Sequence, residues 1–177
     1  DANTTGTENS AFGKHALGAN TTASGNAAFG NYTANGNTTG TGNAAFGGAT
    51  PSVTNPTLSA NTTGSYNTAI GYGSLENNTT ASNNTAVGYK AGLANTTGTS
   101  NNFFGYQAGV ANTTADNNTA MGHNTFSTNT TGAGNSAFGL QALAANTTAN
   151  YNTAMGYTAL TANTTGTENV SLGAFNL

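Results

Sequence analysis

The chain has 177 residues but only seven charged side chains, two basic and five acidic, and its formal net charge is −3 at pH 7. The absence of cysteine excludes a disulfide framework or a thiolate zinc site, and two basic residues cannot form a nucleic-acid-binding surface. No apolar stretch approaches the roughly 20 residues that span a bilayer, so we expect neither a nucleic-acid partner nor a membrane span.

A tandem repeat accounts for most of the sequence. The tripeptide Asn-Thr-Thr recurs ten times at intervals of 17 residues, apart from one interval of 24. Each copy starts a new unit, and we treat residues 1–177 as a single repeat array. The units begin at Asn3, Asn20, Asn37, Asn61, Asn78, Asn95, Asn112, Asn129, Asn146 and Asn163.

Three further positions recur in every unit. A second asparagine follows six residues after the first, a glycine follows ten residues after it, and a large apolar residue precedes that glycine. We predict that the apolar residues form the core: Phe12, Phe29, Phe46, Ile70, Val87, Phe104, Met121, Phe138, Met155 and Leu172. We predict that the glycines form turns at positive φ: Gly13, Gly30, Gly47, Gly71, Gly88, Gly105, Gly122, Gly139, Gly156 and Gly173.

Within the unit that starts at Asn37, residues 48–60 contain a seven-residue excess. The simpler interpretation is a loop inserted into one coil, because insertions in repeat proteins map to loops. The residue after Asn-Thr-Thr alternates between Gly and Ala except across this interval, where Gly40 is followed by Gly64. A lost coil that left a remnant would also explain that break.

The period and composition predict an all-β fold. Asn, Thr and Gly are poor helix formers, and the unit lacks the apolar spacing of a helix. Asn and Gly tolerate the positive φ of tight corners. We therefore predict a parallel β-solenoid (β-roll) of about ten 17-residue coils with one loop insertion. Equivalent asparagines would fall in register and form hydrogen-bonded ladders.

The segments 67–72, 84–89 and 152–157 read Asn-Thr-Ala-Ile-Gly-Tyr, Asn-Thr-Ala-Val-Gly-Tyr and Asn-Thr-Ala-Met-Gly-Tyr. This pattern resembles the repeats of bacterial trimeric autotransporter adhesin heads and the NTALG-like repeats of bacteriophage tail fibres and related surface proteins. The resemblance implies a left-handed parallel β-roll, often trimeric, whose apolar residue before Gly points inward. The 17-residue period and the strict Asn-Thr-Thr differ from the adhesin pattern.

Asn-Thr-Thr also matches the acceptor pattern for N-glycosylation. The candidate acceptors are Asn3, Asn20, Asn37, Asn61, Asn78, Asn95, Asn112, Asn129, Asn146 and Asn163. Sugar would supply hydration that this nearly uncharged surface lacks, and O-linked sugar on threonine is the alternative. A third interpretation is that Asn and Thr serve only turns and ladders.

The sequence offers no catalytic constellation. His15 and His123 occupy different positions of their units, no acid–base pair recurs, and we expect no enzyme, cofactor or metal site. The uniform units favour a structural subunit of an extracellular fibre, located outside the cell or on a cell or virion surface, that self-associates into a fibre or trimer. The alternative is an adhesin or tail-fibre segment that binds a surface glycan or receptor. Ice binding is a weaker possibility, because the adjacent threonines of Asn-Thr-Thr should point to opposite faces of a strand.

Overall fold

The computed structural model describes residues 2–49 and 56–175, and within these ranges the chain forms a parallel β-solenoid. Each unit contributes one three-residue strand, and the described residues contain no helix. The strands are β1 Ser10–Phe12, β2 Ala27–Phe29, β3 Ala44–Phe46, β4 Thr68–Ile70, β5 Thr85–Val87, β6 Asn102–Phe104, β7 Thr119–Met121, β8 Ser136–Phe138, β9 Thr153–Met155 and β10 Val170–Leu172.

All ten strands lie in one sheet in chain order. Every neighbouring pair is parallel and joins equivalent positions of successive units, as in Ala69↔Ala86 and Ile70↔Val87. This arrangement confirms the predicted β-solenoid and its 17-residue coil.

The seven extra residues leave no gap in this ladder. β3 pairs directly with β4, so Ala44 lies opposite Thr68 across a 24-residue separation. The chain rejoins the coil at Thr57, whose backbone carbonyl accepts a hydrogen bond from the Ala34 amide at 3.0 Å. The adjacent coils therefore stack without a missing layer, as the inserted-loop interpretation requires. Residues 50–55, where most of that loop falls, lie outside the described residues.

The turn glycines adopt positive φ in every unit, as predicted, with values between 115° and 153°. No other residue type occurs at this corner, because the next coil approaches too closely for a side chain. A Cβ atom on Gly88 would lie 2.7 Å from the carbonyl carbon of Gly105, which is far inside a normal contact. The other tight corners have φ near 50–60° and accept larger residues, as at Leu75 and Lys90.

The core differs from the predicted one. The central strand residue is buried, and in most units it is alanine; Ala69, Ala86 and Ala137 have no exposed surface. Facing these alanines are Leu58, Leu75 and Leu143, which follow the turn glycine in sequence and are also fully buried. The interior is thus narrow, and one alanine and one leucine fill it together with asparagine in the coils that carry Leu58, Leu75, Leu143 and Leu160.

The prediction that the residue before the turn glycine forms the core is wrong. Strand side chains alternate between faces, so burying the central alanine turns its neighbours outward. The residues concerned are Phe12, Phe29, Phe46, Ile70, Val87, Phe104, Met121, Phe138, Met155 and Leu172; seven of them are exposed, and Val87, Phe104 and Phe138 are half-buried. The inward orientation that the resemblance implied for this residue is therefore wrong as well.

Two large rings enter the core. Phe126 stands at the leucine position of its coil and is fully buried. Phe103 replaces the central alanine of β6 and is fully buried. Two glycines make room for it, because Gly92 and Gly109 occupy the position that carries leucine in other coils. A Cβ on Gly92 would lie 2.8 Å from the Phe103 ring. The Phe103 ring fills the space that leucine side chains would occupy at positions 92 and 109. The side-chain volume in the core of these two coils is therefore conserved.

We expect Leu143→Ala to lower the free energy of unfolding by about 2–5 kcal/mol, because it empties a fully buried site in a packed core. Ile70→Thr removes a side chain that is 40% exposed and keeps a β-branched residue, so the loss should stay below about 1 kcal/mol. Chemical denaturation of dilute protein measures both values. An equal or larger loss for Ile70→Thr would contradict the assignment of the inner and outer faces.

Candidate functional site

The asparagines that open the units form a buried ladder. The Asn95 side-chain amide donates hydrogen bonds to Asn78 Oδ1 at 3.0 Å and to the Gly98 carbonyl at 2.9 Å. Its own Oδ1 accepts from Asn112 Nδ2 at 2.9 Å. The same asparagine-to-asparagine bond joins every successive pair of coils from Asn3 to Asn163. We call this the first asparagine ladder.

The second recurring asparagine forms a ladder beside the first, because Asn84 and Asn95 both donate to the Gly98 carbonyl. The backbone amide of Asn101 donates to Asn84 Oδ1 at 2.9 Å, and its side-chain amide donates to the Ala115 carbonyl at 2.8 Å. Asn67, Asn84 and Asn118 are equally buried. These bonds confirm that equivalent asparagines align in hydrogen-bonded ladders. Their constant spacing was the signal that identified them in the sequence.

The first asparagine ladder contradicts the predicted N-glycosylation sites. An N-linked sugar is attached to the side-chain amide nitrogen, and that atom is the donor in every rung. The eight internal candidates are at most 2% exposed: Asn20, Asn37, Asn61, Asn78, Asn95, Asn112, Asn129 and Asn146. Asn3 and Asn163 are more accessible, but their amides donate to the carbonyls of Gly6 and Gly166. The eight internal asparagines hold the fold together, and their burial closes them to sugar in the folded chain.

The two threonines of each Asn-Thr-Thr have different environments. The first one bonds to the next coil; for example, Thr79 Oγ1 donates to the Thr96 carbonyl at 3.1 Å. The second one is exposed in every unit, and its hydroxyl makes no hydrogen bond within the described chain. We call these ten residues the threonine file: Thr5, Thr22, Thr39, Thr63, Thr80, Thr97, Thr114, Thr131, Thr148 and Thr165.

The outward apolar residues form a second file, which we call the apolar stripe. It consists of the ten residues that precede the turn glycines, from Phe12 to Leu172. The strand register places each one directly beside its equivalent in the next coil. Phe29 and Phe46 stack with ring centroids 4.9 Å apart and planes 4° apart, yet each remains about 40% exposed. Stacking along the rod therefore leaves the outer side of the stripe uncovered.

Aromatic residues two positions further on form a shorter stack. Tyr72, Tyr89, Tyr106 and His123 follow one another with centroid separations of 5.6, 5.1 and 4.8 Å and nearly parallel planes. Because each inner ring lies face to face with its neighbours, those faces are not available to stack on a sugar. Packing between coils is the role that the geometry favours for these tyrosines.

The charged and titratable side chains do not converge. His15 packs against Tyr32 and His123 against Tyr106, at opposite halves of the chain. Among residues 2–49 and 56–175, no group of three or more His, Asp or Glu side chains could hold a metal ion. Asp116 accepts hydrogen bonds from the amide and hydroxyl of Thr99 at 2.6 and 3.0 Å, where other coils use serine or asparagine. Its carboxylate thus belongs to the coil-to-coil bonding.

Comparisons with family models, with curated proteins and with solved structures give no match for this chain. Within the described part of the chain, no helix has the length and apolar character needed to cross a membrane. The apolar stripe and the threonine file, which expose equivalent side chains along the whole rod, form the candidate functional site.

The first asparagine ladder predicts a pH-dependent defect in Asn95→Asp. An ionised aspartate cannot donate to Asn78 Oδ1 or to the Gly98 carbonyl, and it would be buried without a counter-charge. The folded chain should therefore raise the pKa of this carboxyl, since the protonated form restores one donor. The variant should be close to wild type below about pH 4 and should then lose up to about 1.4 kcal/mol per pH unit, reaching at most about 4 kcal/mol at pH 7.

Asn83→Asp is the matched control, because Asn83 is exposed and lies outside both ladders. Its unfolding free energy should follow the wild-type pH profile in urea titrations at several pH values. A pH-independent loss in Asn95→Asp would contradict the role assigned to the side-chain amide.

Proposed function

We propose that this chain is a structural subunit of an extracellular fibre or filament, on a cell or virion surface. The observation that supports the proposal is the unbroken ladder, in which every coil is bonded to the next through both backbone and side chains. Each coil touches only its neighbours, as is typical of solenoid proteins that serve as extended elements. Ten coils at about 4.8 Å per step form a rod roughly 45 Å long.

The ladder bonds make this rod stiff along its axis. A side-chain bond between asparagines crosses every step, and the first threonine adds a second one at every step from Thr4 to Thr164. Bending the rod would stretch these bonds on one side. Between the two ends of the rod, the packed side chains of the described coils fill the interior, as Ala69 and Leu75 do.

The outer surface also favours a fibre over an adhesin. A receptor site needs local features that differ from the rest of the surface, whereas here the apolar stripe and the threonine file run past all ten coils. A uniform surface suits contacts that repeat along a filament.

Sugar on this fibre, which we expect from its low charge, would be carried by the threonine file. Every member presents an unbonded, exposed hydroxyl, whereas the neighbouring asparagine amide is buried. The threonine hydroxyl would attack the anomeric carbon of an activated sugar, lose its proton to the transferase and release the phosphate leaving group of the donor. The sugar coat would then run along one side of the rod.

Immunogold electron microscopy of native material tests the fibre. Antibodies raised against the recombinant chain should label long threads of uniform width at many points along their length. X-ray diffraction from aligned threads should show a reflection near 4.8 Å along the axis. Labelling confined to short stalks that end in a knob would refute the fibre and favour the adhesin.

Peptide mass spectrometry of the same material tests the sugar acceptor. Modified peptides should carry their sugar on members of the threonine file such as Thr97, and Asn95 in the same repeat should be unmodified. The exposed Asn83 serves as an internal control, because it matches the N-glycosylation pattern and lies outside the ladders. Sugar on Asn78 or Asn95 in folded material would contradict the ladder, and unmodified threonines would remove the sugar coat from the proposal.

A further inference from the structure

We propose that the apolar stripe is the contact surface between two copies of this chain, which associate side by side with stripe against stripe. This inference rests on the proposed fibre function and identifies the surface and the partner through which the fibre thickens. The starting observation is that the sheet has one covered face and one uncovered face. All-parallel sheets are almost always covered on both faces.

The chain itself covers only the inner face. There the alanines of the strands pack against Leu58, Leu75 and Leu143. On the outer face, Phe29, Ile70 and Met121 keep 40%, 40% and 41% of their surface in solvent. Their neighbours two residues earlier in each strand are mainly small polar residues such as Thr68 and Ser136, which do not shield them.

The exposed area is large enough for a stable contact. A large side chain of this kind has about 150–250 Å², so ten of them with some 40% exposed offer roughly 600–1000 Å² per chain. A standard protein–protein interface buries about 800 Å² per partner. A contiguous apolar surface of this size on a soluble chain marks an interaction site.

The spacing of the stripe selects the partner. Its side chains repeat once per coil, at about 4.8 Å, over all ten coils. A partner can match all of them only if its own side chains repeat at the same distance in a straight row. A second copy of this chain meets that requirement because its stripe has the same spacing. Two such sheets would pack face to face at about 10 Å.

Electrostatics do not oppose this contact. The described charged residues are Glu8, Lys14, Glu76, Lys90, Asp116 and Glu168. None of them belongs to a strand, so the strand side chains that would face each other carry no charge. The contact would therefore depend little on salt, unlike one held by ion pairs.

Sedimentation equilibrium of the purified chain, from about 1 to 100 μM, tests the inference. The wild-type chain should have the mass of a dimer, because a stripe that faces its own copy leaves no second stripe free. The triple variant Ile70→Thr, Met121→Thr and Met155→Thr should raise the dissociation constant at least about 100-fold, because it removes apolar contacts across the stripe. The matched control is Tyr66→Ser with Tyr151→Ser, which removes two rings that are 66% and 65% exposed outside the stripe. The control should dissociate like wild type.

Circular dichroism and small-angle scattering show whether each variant keeps the solenoid, and the single variant Met121→Thr replaces the triple variant if that one unfolds. A monomeric wild-type chain at all concentrations would overturn the inference, and so would equal dissociation of stripe and control variants. If native threads are labelled while the chain alone stays monomeric, this inference fails and the fibre remains. If the chain pairs but no threads exist, the fibre fails and the contact remains.

Discussion

The structure depends on the requirement that every coil repeat its neighbour's hydrogen bonds in register. Buried asparagine would be strongly unfavourable if its amide were unpaired. Here each asparagine of the first ladder bonds to the same residue one coil away, as Asn78 does with Asn61 at 2.8 Å. A shift of one residue in any coil would leave polar groups of both asparagine ladders unpaired. The polar interior therefore fixes the register, a task that apolar packing alone performs poorly with side chains as small as alanine.

The same requirement explains why the large apolar residues lie outside. Two asparagine ladders and a row of leucines already occupy the interior, and the strand contributes only its central residue to that side. A ring in the strand row fits where the facing row carries glycine, as at Phe103, and a ring in the facing row fits opposite alanine, as at Phe126. The bulky residue before the turn glycine consequently faces solvent, and it contributes to the exposed apolar stripe instead of to the core.

Much of the fold could be predicted from the sequence, because period and composition depend on local chemistry. The 17-residue interval and the absence of helical spacing indicated a solenoid, and the invariant Gly88 and its equivalents indicated a corner that no side chain can occupy. The aligned asparagine ladders could be predicted for the same reason. Which side of each strand is buried could not be predicted, because a three-residue strand has too few positions for an alternating pattern to reveal it. Hydrophobicity pointed to Ile70, whereas the available space selects Ala69.

The candidate site was harder to predict, and the reason lies in Asn-Thr-Thr. The tripeptide satisfies a modification pattern and also builds the ladder, and only three-dimensional burial separates the two uses of the asparagine. The two threonines are identical in sequence terms as well. The Thr79 hydroxyl donates a hydrogen bond to the next coil and the Thr80 hydroxyl does not, because the chain turns between the two residues.

The packing of Phe103 against two glycines, where other coils pair alanine with leucine, limits how such an array can gain or lose units. Five units present the same pair of alanine and leucine to their neighbours, so duplication or loss of one of these units would preserve the packing; they carry Leu17, Leu58, Leu75, Leu143 and Leu160. The units that begin at Asn78 and Asn95 are an exception, because Gly92 in one accommodates the ring from the other. Recombination between them would leave either a void or a clash, so we expect this pair to be inherited as a single module.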